Sequence, residues 1–292
     1  MQIQDRTNRK EVFPPRAFII GAQKSGTTYL AGLLDQSPQI CVSNPKEPHF
    51  FSQHYDKGID YYRSCFPNAD AKVMIDASTT YSFLRPHDQL TAPIAPGVVD
   101  PIPERIAKLR PDARIIYILR HPVERAISAL KHKLRDVPVT ERPVKLLDAL
   151  REDPMFVLIG RYGDQIERYL EVFDREQILL LKFDDLRKDP ATVVNTCLEF
   201  LECEYFHVDT KRNPESRHAA SSYNTLGRLL RRLPSGFTSA IKNSLPTSML
   251  LQARNSVQVP AQQIEIEDKS EVMKLFLDDL EKLRTLTGIE LI

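Results

Sequence analysis

The chain has 292 residues, with 40 Lys and Arg against 39 Asp and Glu and a formal net charge of +1. That length suits one α/β domain with insertions, and 42% hydrophobic with 27% charged residues is ordinary for a soluble globular chain. The near-neutral total excludes a field that would draw the whole molecule to nucleic acid or an anionic membrane, and no apolar run approaches the ~20 residues of a membrane-spanning helix.

Residues 1–15 read as a flexible N-terminal arm. They are polar and hold no apolar core of a secretory signal, so a cytoplasmic location is expected. Residues 16–292 read as a single domain. Residues 16–21 (RAFIIG) are a short apolar run ending in glycine, which suits a buried strand. Residues 27–35 (TTYLAGLLD) follow as a helix with Leu30, Leu33 and Leu34 on one face. Further strands are expected at residues 39–43 (QICVS), 72–76 (KVMID), 114–119 (RIIYIL) and 177–183 (QILLLKF). These runs are too continuously apolar for one-sided burial, so a parallel sheet covered on both faces fits. Helical stripes alternate with them. One is Tyr162, Ile166, Tyr169, Leu170 and Phe173. A second is Val193, Val194, Cys197, Leu198 and Leu201, and a third is Val272, Leu275, Phe276, Leu280 and Leu283. The expected fold is therefore α/β, a three-layer sandwich with a central parallel β-sheet flanked by helices.

Two stretches break the alternation. Residues 91–104 carry Pro93, Pro96, Pro101 and Pro103 and read as a loop. Residues 207–262 read as a basic, less regular insertion over the ligand site: residues 207–254 alone hold eight Lys and Arg against Asp209 and Glu215. The four cysteines, Cys41, Cys65, Cys197 and Cys203, match no metal or redox spacing and read as reduced, mostly buried thiols.

Residues 21–28 (GAQKSGTT) lie between a strand and a helix. In that arrangement backbone N–H groups and the helix dipole cradle phosphate. Gly21 and Gly26 let the backbone approach a ligand. Lys24 adds a point charge, and Thr27 and Thr28 add hydroxyls. The lysine precedes the second glycine, so this is not the GxxxxGK[ST] nucleotide loop. A second anion site is read at residues 120–128 (RHPVERAIS). Arg120 ends a strong strand, where open α/β sheets bind ligands. Pro122 suits a first helical position. Arg120 together with Ser128, two turns into the helix, can grip one phosphate. The pair of sites implies a ligand with two separated phosphate groups.

These segments resemble the sulfotransferase family, in its bacterial and glycosaminoglycan-type branch. QKSGTTYL is similar to that family's 5′-phosphosulfate loop and LRHPVERAISALKH to its 3′-phosphate strand and helix. KEPHFF at residues 46–51 resembles the segment that carries the base. Residues 161–190 and the C-terminal LFLDDLEKLRTLTGIEL are also similar. The resemblance implies a P-loop-like fold and 3′-phosphoadenosine 5′-phosphosulfate (PAPS) as donor, with adenosine 3′,5′-bisphosphate (PAP) as product and no metal. The acceptor would be a hydroxyl or amine of a small molecule or carbohydrate. Gln23, Lys24, Ser25, Gly26, Thr27 and Thr28 would hold the 5′ end of the donor, and Arg120 and Ser128 the 3′-phosphate. Arg217 stands in for the family's adenine-side loop. Lys24 would stabilise the leaving group. Glu47 would be the base, its carboxyl raised towards neutrality by the flanking prolines and phenylalanines, with His49 the rival base. Lys46 either assists the sulfuryl oxygens or is a solvated loop lysine, and Asp76 either orients the acceptor or caps a turn. One departure is Ala77 in DASTTY, where glycosaminoglycan-type members carry a lysine. The competing readings are an ATP-dependent P-loop kinase and a non-catalytic nucleotide-binding protein.

Overall fold

The computed structural model describes residues 13–68, 71–83, 101–135, 137–140, 142–211, 221–223, 258–260, 262–266 and 269–291. Five apolar runs form one sheet: β1 (Ala17–Gly21), β2 (Ile40–Val42), β3 (Val73–Asp76), β4 (Arg114–Leu119) and β5 (Ile178–Lys182). Their order is β2-β3-β1-β4-β5, and every neighbouring pair is parallel. Each strand matches a run expected from the sequence. The reason is visible in the packing. Phe18, Ile20, Met74, Ile115 and Tyr117 enter one core, and Ala17, Ile19, Val73, Ile75, Ile116 and Ile118 enter another on the opposite face. Successive side chains on a strand point to opposite faces, so burial on both sides demands unbroken apolar runs.

The helices α1 (Thr27–Leu34), α2 (Phe50–Gln53), α3 (Gly58–Ser64), α4 (Ile102–Leu109), α5 (Pro122–Leu134), α6 (Leu146–Glu152), α7 (Met155–Leu158), α8 (Tyr162–Leu170), α9 (Phe183–Lys188), α10 (Pro190–Phe200), α11 (Lys269–Lys274) and α12 (Leu277–Thr287) complete the described elements of this class. Helices α1 and α10 cover one face through Leu30, Leu33, Leu34, Val194, Cys197 and Leu198. Helices α5, α8 and α12 cover the other through Val123, Ile127, Tyr162, Ile166 and Leu283. All four cysteines are buried and unpaired, as thiols.

Helix α12 is tied to α8 by a buried carboxylate. Asp279 accepts hydrogen bonds from Gly163 N at 2.9 Å and Asp164 N at 2.8 Å. It thereby satisfies two amides of a first turn, which have no intrahelical acceptor. Gly163 permits this approach: a Cβ there would stand 2.5 Å from the Asp279 carbonyl oxygen.

Two expectations change. The prolines predict loop through residue 104, yet α4 already begins at Ile102. Pro103 is tolerated because a first-turn residue needs no N–H. The C-terminal stripe was expected to bury Leu275 with its neighbours. The helix is instead interrupted between α11 and α12, so Phe276 turns fully inward and Leu275 is exposed. Of residues 207–262, the described part includes two short antiparallel strands, Ser221–Tyr223 and Gln258–Pro260. Most of the basic segment, Arg217 included, lies outside the described residues. Among the described residues no helix is long and apolar enough to cross a membrane.

Candidate active site

Parallel strands present all their C-terminal ends on one edge of the sheet, and the segments expected to carry chemistry leave from those ends. The first follows β1. A Cβ on Gly21 would stand 2.6 Å from Ser82 Oγ, so only glycine fits there. The chain then folds tightly, with Ala22 N donating to Ile118 O at 2.9 Å and Ser25 N to Ala22 O at 3.1 Å. Lys24 has φ 71, in the left-handed region that side-chained residues rarely occupy. Gly26, at φ 84, caps α1. Thr27 is buried and Thr28 exposed at the start of that helix, while Gln23 and Lys24 are half-buried. Ser25 is fully buried, and its hydroxyl faces that of Tyr162, which is also fully buried.

Arg120 leaves the end of β4 and reaches this loop. Its Nη1 donates to Lys24 O at 2.9 Å, joining residues 96 apart in sequence. Its guanidinium carbon lies 4.6 Å from the Phe183 ring centroid. Burial lowers the pKa of both Lys24 and Arg120. Arg135 and Arg120 depress Lys24 further by charge repulsion, and Glu47 opposes them. Three cations and one carboxylate therefore share one electrostatic neighbourhood. Ser128 is half-buried on α5. Arg125, three residues before it, is fully buried and donates to the Phe156 carbonyl, so it belongs to the helix packing.

The KEPHFF segment follows β2 and lies against the turn after β3. Glu47 is held at both oxygens. Lys46 Nζ donates to Oε1 at 2.9 Å, while Thr79 donates to Oε2 from Oγ1 at 2.9 Å and from N at 3.3 Å. Burial alone would raise the Glu47 pKa, but Lys46, Thr79 and His49 together outweigh it and the net shift is downward. This corrects the sequence expectation of a carboxyl raised towards neutrality. The apolar neighbours are present, but an ammonium and two hydrogen-bond donors favour the ionised form more strongly.

His49 has φ 51, again left-handed. Its Nε2 is 3.7 Å from Glu47 Oε2 and its Nδ1 is 2.9 Å from Thr80 Oγ1, which is 2.7 Å from Ser52 Oγ. Asp76 anchors the arrangement. Its fully buried carboxylate accepts hydrogen bonds from Tyr62 Oη at 2.8 Å, Tyr81 Oη at 2.7 Å, Ser78 Oγ at 2.6 Å and Ser78 N at 3.1 Å. Ser78 Oγ in turn accepts from His49 N at 3.0 Å, and Tyr81 Oη from Phe51 N at 3.2 Å. Of the two sequence readings of Asp76, the turn cap holds. Lys46 also donates to Ala77 O at 3.1 Å, so it is a half-buried, bonded lysine rather than a solvated one.

The structure thus brings Lys24, Arg120 and Glu47 into one region and places His49 beside Glu47. Sequence reading missed Thr79, Thr80, Ser52 and Phe183. The DASTTY stretch signalled two of them through its hydroxyls, but no local pattern names their partners some 30 residues away.

The sulfotransferase domain family matches residues 14–222. A mouse bifunctional heparan sulfate N-deacetylase/N-sulfotransferase 1 is 32% identical over 205 residues, covering 64% of this chain and 22% of the relative. A human heparan sulfate glucosamine 3-O-sulfotransferase 3B1 is 30% identical over 197 residues, covering 64% of this chain and 46% of the relative. The chain therefore spans less than half the length of these two curated relatives. A sulfotransferase structure from Alicyclobacillus acidocaldarius superposes with a TM-score of 0.64 at 24% identity, covering 96% of this chain and 98% of that one, and so shares the fold. With a family match that runs through residues 21–28, 46–51 and 120–128, this chain belongs to the sulfotransferase domain family.

Proposed function

We propose that this chain transfers a sulfuryl group from PAPS to a hydroxyl or amine of a small-molecule or carbohydrate acceptor, releasing PAP. The observation that carries this reading is the bond from Arg120 Nη1 to Lys24 O. It joins the two segments assigned to phosphate binding, and Lys24 and Arg120 make that region rich in positive charge. Among the described residues, no carboxylate lies within 4 Å of Arg120 or Lys24, so both cations fit an anionic ligand.

Gln23, Lys24, Ser25, Gly26, Thr27 and Thr28 would hold the 5′ end of the donor. Arg120 and Ser128 would hold its 3′-phosphate, and Arg217 is assigned to the adenine side. Bound there, the donor supplies an activated sulfuryl group. Lys24 places positive charge where the leaving phosphate gathers negative charge, which favours the transition state over the ground state. Glu47, ionised at neutral pH and held at both oxygens, takes the acceptor's proton. His49 is positioned to support that carboxylate or to share the proton with it. The left-handed backbone at both Lys24 and His49 supports a functional role, since such conformations persist where the surrounding structure over-determines them. The carbohydrate acceptor class is supported by the two curated relatives, whose names specify heparan sulfate.

Calorimetric titration with PAP in the absence of metal, run beside ATP with Mg²⁺, tests the donor assignment. Tight PAP binding with weak ATP binding supports it. Preference for ATP with Mg²⁺ would replace it with the kinase reading.

A further inference from the structure

Phe183 follows β5 directly and opens α9. Its ring meets both phosphate-binding segments. The Arg120 guanidinium carbon lies 4.6 Å from the ring centroid. On the side of the 5′ loop, Cε2 and Cδ2 of the same ring lie 3.1 and 3.2 Å from where a Cβ on Gly26 would stand. The sheet order explains this meeting. Strand β4 pairs with β1 on one side and β5 on the other, so the residues that leave these three strand ends are neighbours in space.

An arginine at a strand end has a long side chain with many rotamers, and holding it in one direction costs rotamer entropy. An ion pair is the usual restraint. Here Glu124 and Asp184 are near enough to favour the Arg120 charge, yet neither carboxylate comes within 4 Å of it. Among the described residues, the Lys24 carbonyl meets one guanidinium nitrogen and the Phe183 ring lies near the guanidinium. A cation that rests on an aromatic face keeps its in-plane N–H groups available for hydrogen bonds.

We propose that Phe183 is a positioning residue for the donor. Its ring orients the Arg120 guanidinium towards the 3′-phosphate and sets the spacing between that group and the 5′ loop at Gly26. The proposal rests on the donor reading above, and assigns Phe183 no direct contact with the reacting atoms.

The test compares two probes on the full chain by calorimetry: PAP, and adenosine 5′-monophosphate, which lacks the 3′-phosphate. Phe183→Leu is expected to weaken PAP binding about tenfold while changing monophosphate binding by less than about twofold. Phe183→Tyr, which keeps the ring, is expected to retain the wild-type preference. In an Arg120→Ala background, Phe183→Leu is expected to have no further effect on PAP. Thermal unfolding of each variant checks the fold, with Phe183→Met used in place of Phe183→Leu if the leucine variant is unfolded. Equal weakening of both probes would overturn the proposal and leave Phe183 as a prop for the loop. Unchanged binding of both would overturn it too. Failure of the wild-type chain to bind PAP would instead strike down the donor reading, and this proposal with it.

Discussion

Thr79 Oγ1 donates a 2.9 Å hydrogen bond to Glu47 Oε2 across 32 residues of chain. With Lys46 on the other oxygen, this bond keeps the carboxyl below the usual glutamate range. Glu47 is therefore ionised at neutral pH and fixed in direction, which suits a proton acceptor that must be ready before the acceptor group arrives.

Glu47→Gln should lower kcat by roughly 10²-fold or more while leaving PAP affinity nearly intact. On the proposed role, removing the Glu47 carboxylate leaves the donor contacts in place, so rate and binding separate. Parallel loss of binding and rate would remove Glu47 from the base role and bring His49 forward.

Thr79→Val should move the acid limb of the kcat–pH profile upward. A base works only when deprotonated, so activity falls as pH drops through its pKa. Loss of the hydroxyl donor raises that pKa, because one group favouring the ionised form is gone. A limb that stays in place would separate Thr79 from Glu47 or Glu47 from proton removal.

Lys24→Ala and Arg120→Ala should fail differently. The first should cost roughly 10²-fold in kcat, because in the proposed mechanism its charge acts most on the transition state. The second should raise the PAP Kd by about 10- to 100-fold, the cost of losing charge-assisted hydrogen bonds to a phosphate. Calorimetry and steady-state kinetics on both variants separate the two roles. Unchanged PAP affinity in Arg120→Ala would cancel the 3′-phosphate assignment.

Asp76 should make stability depend on pH in a direction unusual for a carboxylate. Burial raises its pKa from 3.8 to about 6, despite four hydrogen bonds that oppose the shift. The folded state thus binds this proton more tightly than the unfolded state does. Its contribution to stability is fully present below about pH 4 and is lost as pH rises through about 6. Asp76→Asn cannot titrate. Relative to that variant, the wild type should lose on the order of 3 kcal/mol between pH 4 and pH 7, measured by urea unfolding at each pH. A difference independent of pH would show that Asp76 titrates normally.

Asp279→Ala should destabilise the fold by about 1–3 kcal/mol, since two amides at the start of α8 lose their acceptor in a buried setting. Chemical denaturation measures it. An effect below about 0.5 kcal/mol would mean that water replaces the carboxylate.

Local pattern alone determined the sheet and marked the two segments proposed to bind phosphate. Strands buried on both faces must be apolar throughout, so β1 to β5 announce themselves, and GAQKSGTT and RHPVERAIS carry glycine, lysine and arginine at strand ends. Tertiary structure decided the rest. The Glu47 pKa turns on a contest between burial and charge, and Thr79, one of the donors that tips it, comes from a different strand end. Thr80, Ser78 and Asp76 meet the His49 segment because β2 and β3 are neighbours. Phe183 meets Arg120 and Gly26 because β5, β4 and β1 are adjacent. A parallel sheet gathers the ends of distant segments on one edge, so side chains far apart in sequence become partners there, and no local spacing records which ones.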